Sequence, residues 1–284
     1  MPNVPLKDQV AIITGGGWNI GRSVAIKFAA AGAKVVVASR RVENLEEVVE
    51  TIQASGGEGL AVPTDVTRVA DVENLVERTV AAFGTVDILV AAAGGSGAHA
   101  PIDQVTPEEW YQVHMQNLHG TFHSVRCVLP ILRQKNSGLI LNFSGGGAFF
   151  PLLGQHLTAY ATAKAAICRL TDQLQAELLD TGIRVNCIEP GMVWSPDRLQ
   201  QVEDEEARTG RPHPDRKDNH SPEEAAELAL FLASEQGAVV RGRVIAVGDD
   251  WWRNPDRVRA VEETVHLYRL RRVDEGPLGG NPAP

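Results

Sequence analysis

At 284 residues, with 43% hydrophobic and 22% charged residues, the chain has the composition of an ordinary globular protein, which excludes disorder, collagen and coiled coil. Its 36 acidic against 27 basic residues give a formal charge of -9, which repels phosphate backbones and anionic lipid and so argues against a nucleic-acid partner. No apolar run reaches the roughly 20 residues of a membrane span, the opening Met1 to Val10 lacks the pattern of a secretory leader, and three scattered cysteines without metal-ligand spacing, Cys127, Cys168 and Cys187, fit core positions in a cytoplasmic protein.

Short β-rich runs follow one another from Val10 to Ile13, Lys34 to Ala38, Leu60 to Val62, Asp87 to Ala91, Gly138 to Asn142, Ile183 to Ile188 and Arg243 to Val247, with amphipathic helical patterns between them. Runs this apolar are buried on both faces, which predicts an α/β fold: a mainly parallel, doubly wound sheet of about seven strands with helices on each side. Gly32 closes the first helix, while Thr106-Pro107-Glu108-Glu109 and Ser221-Pro222-Glu223-Glu224 each read as a cap, a first-turn proline and first-turn acids. No linker divides the alternation, so residues 1–252 are expected to form a single dinucleotide-binding and catalytic domain.

Two stretches stand outside the pattern. Pro196 to His220 is polar and punctuated by prolines, and reads as a long loop that could close as a lid. Residues 253–284 form a C-terminal extension, with one helical pattern (Val258, Val261, Val265, Tyr268 and Leu270) and a Gly/Pro-rich tail from Gly276 to Pro284 expected to be loosely ordered.

Directly after the first strand comes Thr14-Gly15-Gly16-Gly17-Trp18-Asn19-Ile20-Gly21-Arg22, and a helical pattern follows at once. Glycines at a strand-to-helix joint let backbone N–H groups approach a pyrophosphate where the helix dipole favours negative charge. The second strand runs into Ser39-Arg40-Arg41 with no carboxylate. An acid there would bind a ribose 2′-OH, whereas a hydroxyl followed by arginines suits a 2′-phosphate, so NADP(H) is favoured and NAD(H) remains open. Asp65, with Val66 beside it after the third strand, reads either as an adenine-edge contact or as a helix cap.

Tyr160 and Lys164 stand four apart in an alanine-rich helical stretch, which places them on one helix face. Ser144, sixteen residues before the tyrosine, follows the fifth strand, at the carboxyl edge where parallel sheets bind ligands.

In these landmarks and their order, from about Val10 to Gly248, the chain resembles the short-chain dehydrogenase/reductase family and its Rossmann-type fold: the glycine cradle, Asp65, the strand-end Gly94, Asn117, Ser144, Tyr160-x3-Lys164, Asn186 and Pro190-Gly191-x3-Ser195. The resemblance implies an NAD(P)-dependent oxidoreductase acting on a small-molecule carbonyl/alcohol pair. It implies cofactor contacts at Gly15, Gly17, Trp18, Asn19, Ile20 and Gly21, at Ala92, Ala93 and Gly94, and at Pro190, Gly191, Val193 and Ser195. Tyr160 becomes general acid or base, Lys164 lowers its pKa and holds the nicotinamide ribose, Ser144 hydrogen-bonds the substrate oxygen, and Asn117 anchors a water. A homo-dimer or homo-tetramer, joined through the helices before and bearing the tyrosine, is also implied.

The chain departs from the family at four places. Asn19 stands for the cradle's middle glycine, Ala91-Ala92 for a pair of asparagines, and Gly248-Asp249-Asp250-Trp251-Trp252 for paired glycines. Ser144-Gly145 replaces two serines of which the second is the catalytic one in many relatives, leaving Ser144, or His156, to orient the substrate oxygen. Ser96, His99, Phe149, Phe150, Gln155, His156, Met192 and Trp194 are expected to ring the pocket of a small polyhydroxylated or ring-bearing compound. A non-redox lyase or epimerase, and a dinucleotide sensor whose chemistry has lapsed, are the competing functions.

Overall fold

The structure is a computed structural model and describes residues 5–97, 99–264 and 268–269. Seven strands form one parallel sheet: β1 (Val10–Thr14), β2 (Lys34–Ser39), β3 (Glu58–Pro63), β4 (Ile88–Ala91), β5 (Gly138–Phe143), β6 (Ile183–Glu189) and β7 (Val244–Ala246). Their order is β3-β2-β1-β4-β5-β6-β7, so the winding direction reverses between β1 and β4, where a crevice opens at the carboxyl edge.

The helices between them are α1 (Asn19–Ala30), α2 (Val42–Ala54), α3 (Val69–Phe83), α4 (Pro107–His114), α5 (Gly120–Lys135), α6 (Thr158–Glu177), α7 (Pro196–Thr209), α8 (Pro222–Ala233) and α9 (Pro255–Glu263). Strand residues alternate between the two faces, as the pleat requires. Ala11, Ile13, Val35 and Val37 join a core with Phe28 of α1 and Leu228 of α8. Ile12, Val36 and Ala38 face the opposite core with Leu75 of α3, Leu132 of α5 and Leu174 of α6. Each of the valine, leucine, isoleucine and phenylalanine side chains, fully buried, contributes roughly 1.5–3 kcal/mol.

Both predicted capping patterns are present. The Thr106 hydroxyl accepts from the Glu109 N–H at 3.2 Å while Glu109 accepts from the Thr106 N–H at 2.9 Å, and Ser221 with Glu224 repeats the reciprocal pair at 3.2 and 2.8 Å.

The loop expected from Pro196 to His220 is instead the helix α7 followed by a short 3₁₀ turn at Pro214–Asp218. Ser195-Pro196-Asp197 is the same cap, proline and acid that opens α4 and α8, and the Ser195 hydroxyl accepts from the Arg198 N–H at 3.2 Å. Because Val202 is the only buried residue of this helix, its sequence carries no apolar stripe to announce it.

The C-terminal extension begins on the same core. Val258 and Val261 of α9 are buried with Trp251 and Trp252, and the Arg243 guanidinium donates to the Val261 and Thr264 carbonyls at 2.8 and 2.9 Å. Tyr268 stacks on Trp251 with centroids 5.1 Å apart. Val265, Leu270 and the expected tail from Gly276 to Pro284 lie outside the described residues.

Candidate active site

The crevice at the carboxyl ends of β1, β4 and β5 holds a cavity of about 670 Å³. Its floor is the glycine joint. Gly15 has φ +72°, and a β-carbon there would lie 2.9 Å from the Ala92 carbonyl; one at Gly21 would lie 2.2 Å from the Gly15 oxygen. Only glycine fits either place, and the result is a wall made of backbone. The α1 N-terminus opens on it with no side-chain cap and no acid in its first turn, leaving N–H groups free for an anion. Asn19, in place of the family's glycine, adopts φ +45°, as asparagine can, and its Nδ2 donates to the Trp194 carbonyl at 3.5 Å.

Trp18, Ile20, Ser39, Arg40 and Arg41 line this end of the cavity with Asp65 and Val66. Burial pushes the Asp65 carboxyl up, but hydrogen bonds from Thr67 and the charges of Arg40 and Arg68 outweigh it and hold the group below the usual carboxylate range. Gly17 lies beneath: a β-carbon there would stand 3.1 Å from both Ser39 and Asn44. It is therefore packed beneath Ser39 and Asn44 rather than lining the cavity.

Toward the other end come Ala92, Ala93, Gly94, Ser144, Tyr160, Lys164, Pro190, Val193 and Ser195. Where the family places asparagines, the Thr14 hydroxyl accepts from the Ala93 N–H at 3.4 Å and the Thr14 carbonyl from the Ala92 N–H at 3.2 Å, so β1 still holds this strand end. Gly191 turns away from the lining at φ +69° against His220.

Lys164 is buried, and its Nζ donates to the Phe143 carbonyl at 3.1 Å. The same nitrogen lies 5.6 Å from the centroid of the Tyr160 ring. Burial lowers the Lys164 pKa to about 8. The phenol differs from expectation: burial raises its pKa above the ordinary value, and the nearby ammonium does not offset that in the protein alone.

Asn117 is fully buried in a π-helical turn, Met115–His119, inserted between α4 and α5. Its amide donates to the Gly95 and Val113 carbonyls at 2.9 and 2.8 Å, and its oxygen accepts from the Gly95 N–H at 3.3 Å. The extra residue of a π turn re-aims one side chain, here to clamp the loop after β4.

Ser144 is buried, and its hydroxyl donates to the Ile188 carbonyl at 3.5 Å beside the thiols of Cys168 and Cys187. Among the described residues no hydrogen bond joins it to Tyr160. What meets the phenol is Gly145.

Of the residues expected to ring the pocket, Ser96 lines the cavity and the other seven do not. Phe149 packs by Cys168 and Cys187, Phe150 is exposed, and Trp194 sets its ring edge-on to His213 at 5.4 Å. Gln112 and Gln116, one turn apart before Asn117, also line the cavity and belong to none of the sequence motifs. Their spacing on the helix entering Asn117 was the available signal.

A model of the short chain dehydrogenase family matches residues 9–207. The chain belongs to the short-chain dehydrogenase/reductase family. This short-chain dehydrogenase is 33% identical over 258 residues to levodione reductase of Leifsonia aquatica, covering 87% of the chain and 95% of that protein. To 7alpha-hydroxysteroid dehydrogenase of Escherichia coli (strain K12) it is 32% identical over 245 residues, covering 86% and 94%. The solved structure of a 7alpha-hydroxysteroid dehydrogenase with NADH and 7-oxo glycochenodeoxycholic acid superposes with a TM-score of 0.76 at 32% identity over 86% of this chain and 94% of that one. An actinorhodin polyketide ketoreductase with NADPH gives 0.76 at 28% identity over 84% and 95%. The chain is thus an NAD(P)-dependent oxidoreductase of the CH–OH/carbonyl class, and no described helix is long and apolar enough to cross a membrane.

Proposed function

We propose that this short-chain dehydrogenase reduces a small-molecule carbonyl, or oxidises the matching alcohol, with NADP(H) as the preferred cofactor and Tyr160 as the proton-transfer residue. The observation that carries the reading is the buried Lys164 ammonium, 5.6 Å from the Tyr160 ring and lining one cavity with the glycine cradle. When bound, the nicotinamide supplies or accepts the hydride. Gly15, Gly21 and the α1 N-terminus would hold its pyrophosphate, while Ser39, Arg40 and Arg41 would hold a 2′-phosphate.

In reduction Tyr160 gives its phenolic proton to the substrate oxygen, and in oxidation the phenolate takes it back. A phenol above its ordinary pKa is a fit proton donor at neutral pH; acting as base requires positive charge beside it. Lys164, with one donor fixed on Phe143, keeps others for a ribose hydroxyl and supplies that charge. Asn117 holds the Gly95 loop by two hydrogen bonds and its own helix, at Val113, by a third, and a water at its turn would connect Lys164 to solvent.

The test is turnover followed at the nicotinamide absorbance with NADPH and NADH across a panel of ketones, diketones and alcohols. Turnover with NADPH favoured is expected. Tight cofactor binding without any turnover would instead identify a lapsed sensor.

The homo-oligomer implied by the family finds support in an apolar groove of about 380 Å³ between α5 and α6, lined by Phe122, Leu129 and Leu170. Phe122→Asp is expected to yield monomers by light scattering, and an unchanged mass would remove α5 and α6 from the interface.

A further inference from the structure

The wall behind Tyr160 is backbone. A β-carbon built on Gly145 would lie 2.2 Å from the phenol oxygen and 2.9 Å from the carbon bearing it, both far inside contact distance. The phenol therefore occupies volume that any side chain at this position would claim.

Which of the two must yield follows from what holds each. The backbone around Gly145 is fixed on both sides: the Ser144 N–H donates to the Ile188 carbonyl at 2.9 Å, and the Gly145 carbonyl accepts from the Ala148 N–H at 3.2 Å, closing a turn in which Gly147 has φ +84°. The Tyr160 oxygen, by contrast, has no hydrogen-bond partner among the described residues. A side chain at residue 145 would thus move the phenol and leave the wall in place. Relief to van der Waals contact takes about 1 Å, and a misplacement of that size at a reacting group can cost on the order of 100-fold in rate.

Ser144 does not refill the gap, since its own hydroxyl is engaged by Ile188. We propose that Gly145 is a positioning residue for this reaction: its missing β-carbon is what seats the Tyr160 phenol against β5, so the serine carried here by many relatives is incompatible with this seat. The proposal rests on the role given to Tyr160 above.

The experiment compares Gly145→Ala and Gly145→Ser with the wild type, alone and in a Tyr160→Phe background. Three readouts are taken: kcat and KM, ultraviolet titration of the phenol in cofactor-free protein, and thermal unfolding. Because the chain has three tyrosines, subtracting the Tyr160→Phe spectrum isolates the one of interest. The expected result is kcat down by about 100-fold, with the cofactor KM held within a few-fold. The phenol should titrate lower than in the wild type, nearer its ordinary pKa of about 10, because it is pushed from the wall into the open cavity. Gly145→Ser should lower Tm in the wild-type background and less where the phenol oxygen, the nearer of the two clashing atoms, is gone, a coupling readable even if the single variant folds poorly.

A Gly145→Ser enzyme that keeps or raises kcat with an unmoved phenol titration overturns the proposal, as does an equal loss of Tm in both backgrounds. Should Tyr160→Phe retain full turnover while the Tm coupling holds, the fault lies in the chemistry assigned to Tyr160 and the steric seat stands.

Discussion

Lys164 and Phe143 are joined across the site: the ammonium of α6 donates at 3.1 Å to the last carbonyl of β5, one residue before Ser144. This bond fixes the helix bearing Tyr160 to the strand beneath it, yet it does not cover the cost of burying a charge, and the Lys164 pKa stays at about 8.

That cost has a pH signature. The folded protein releases the Lys164 proton near pH 8 while the unfolded chain keeps its proton to about 10.4. Between those values the unfolded state binds more protons, so stability rises with pH, and below pH 8 the folded state carries the full penalty. Lys164→Met should therefore raise stability at pH 7 by about 1–3 kcal/mol, after allowing for an unpaired Phe143 carbonyl, and flatten this rise. Denaturant unfolding at pH 7 and pH 10 checks it; equal destabilisation at both would contradict it.

At the α1 end of the cavity, Arg40 and Arg41 are solvent-exposed beside Ser39. Replacing both with alanine should raise the NADPH KM by about 10- to 100-fold, the worth of one or two charge-assisted hydrogen bonds, and leave NADH within a few-fold. Parallel loss with both cofactors would place the arginines outside 2′-phosphate recognition.

Ser144 offers a sharp contrast between lineage and geometry. A hydroxyl that stabilises the reacting oxygen contributes about 100-fold or more. One that donates at 3.5 Å to Ile188 contributes to the wall. Ser144→Ala is accordingly expected to lower kcat less than about 5-fold and to cost roughly 1 kcal/mol of stability. A loss above 100-fold with unchanged Tm would return the substrate oxygen to Ser144.

Much of this arrangement could be read from the chain because period and punctuation agree. Each strand was legible as an apolar run, and Thr106 and Ser221 announced their helices by proline and acids. The missed helix α7 carries the same opening at Ser195 but buries Val202 alone, so its stripe is invisible while its cap is not. The glycine joint was legible because Gly15 and Gly21 follow a strand, and Asn19 behaves as its φ tolerance predicts. The π turn at Asn117 has no sequence period of its own, and it is what gathers Gly95 and Val113. Least legible was the relation of Ser144, Gly145 and Tyr160: spacing gives their order along the chain, whereas which one meets the phenol depends on how the β5 wall and α6 pack. The pocket ring failed for a like reason, since Phe149 and Phe150 are adjacent in the chain yet one packs inward and the other is exposed.

That the Tyr160 phenol carries the proton while Lys164 and the cradle hold the cofactor is checked by Tyr160→Phe, measured for kcat and for NADPH Kd together. A fall in kcat of at least about 100-fold with Kd within a few-fold of the wild type is predicted. Undiminished kcat, or loss of cofactor affinity in step with activity, would contradict it.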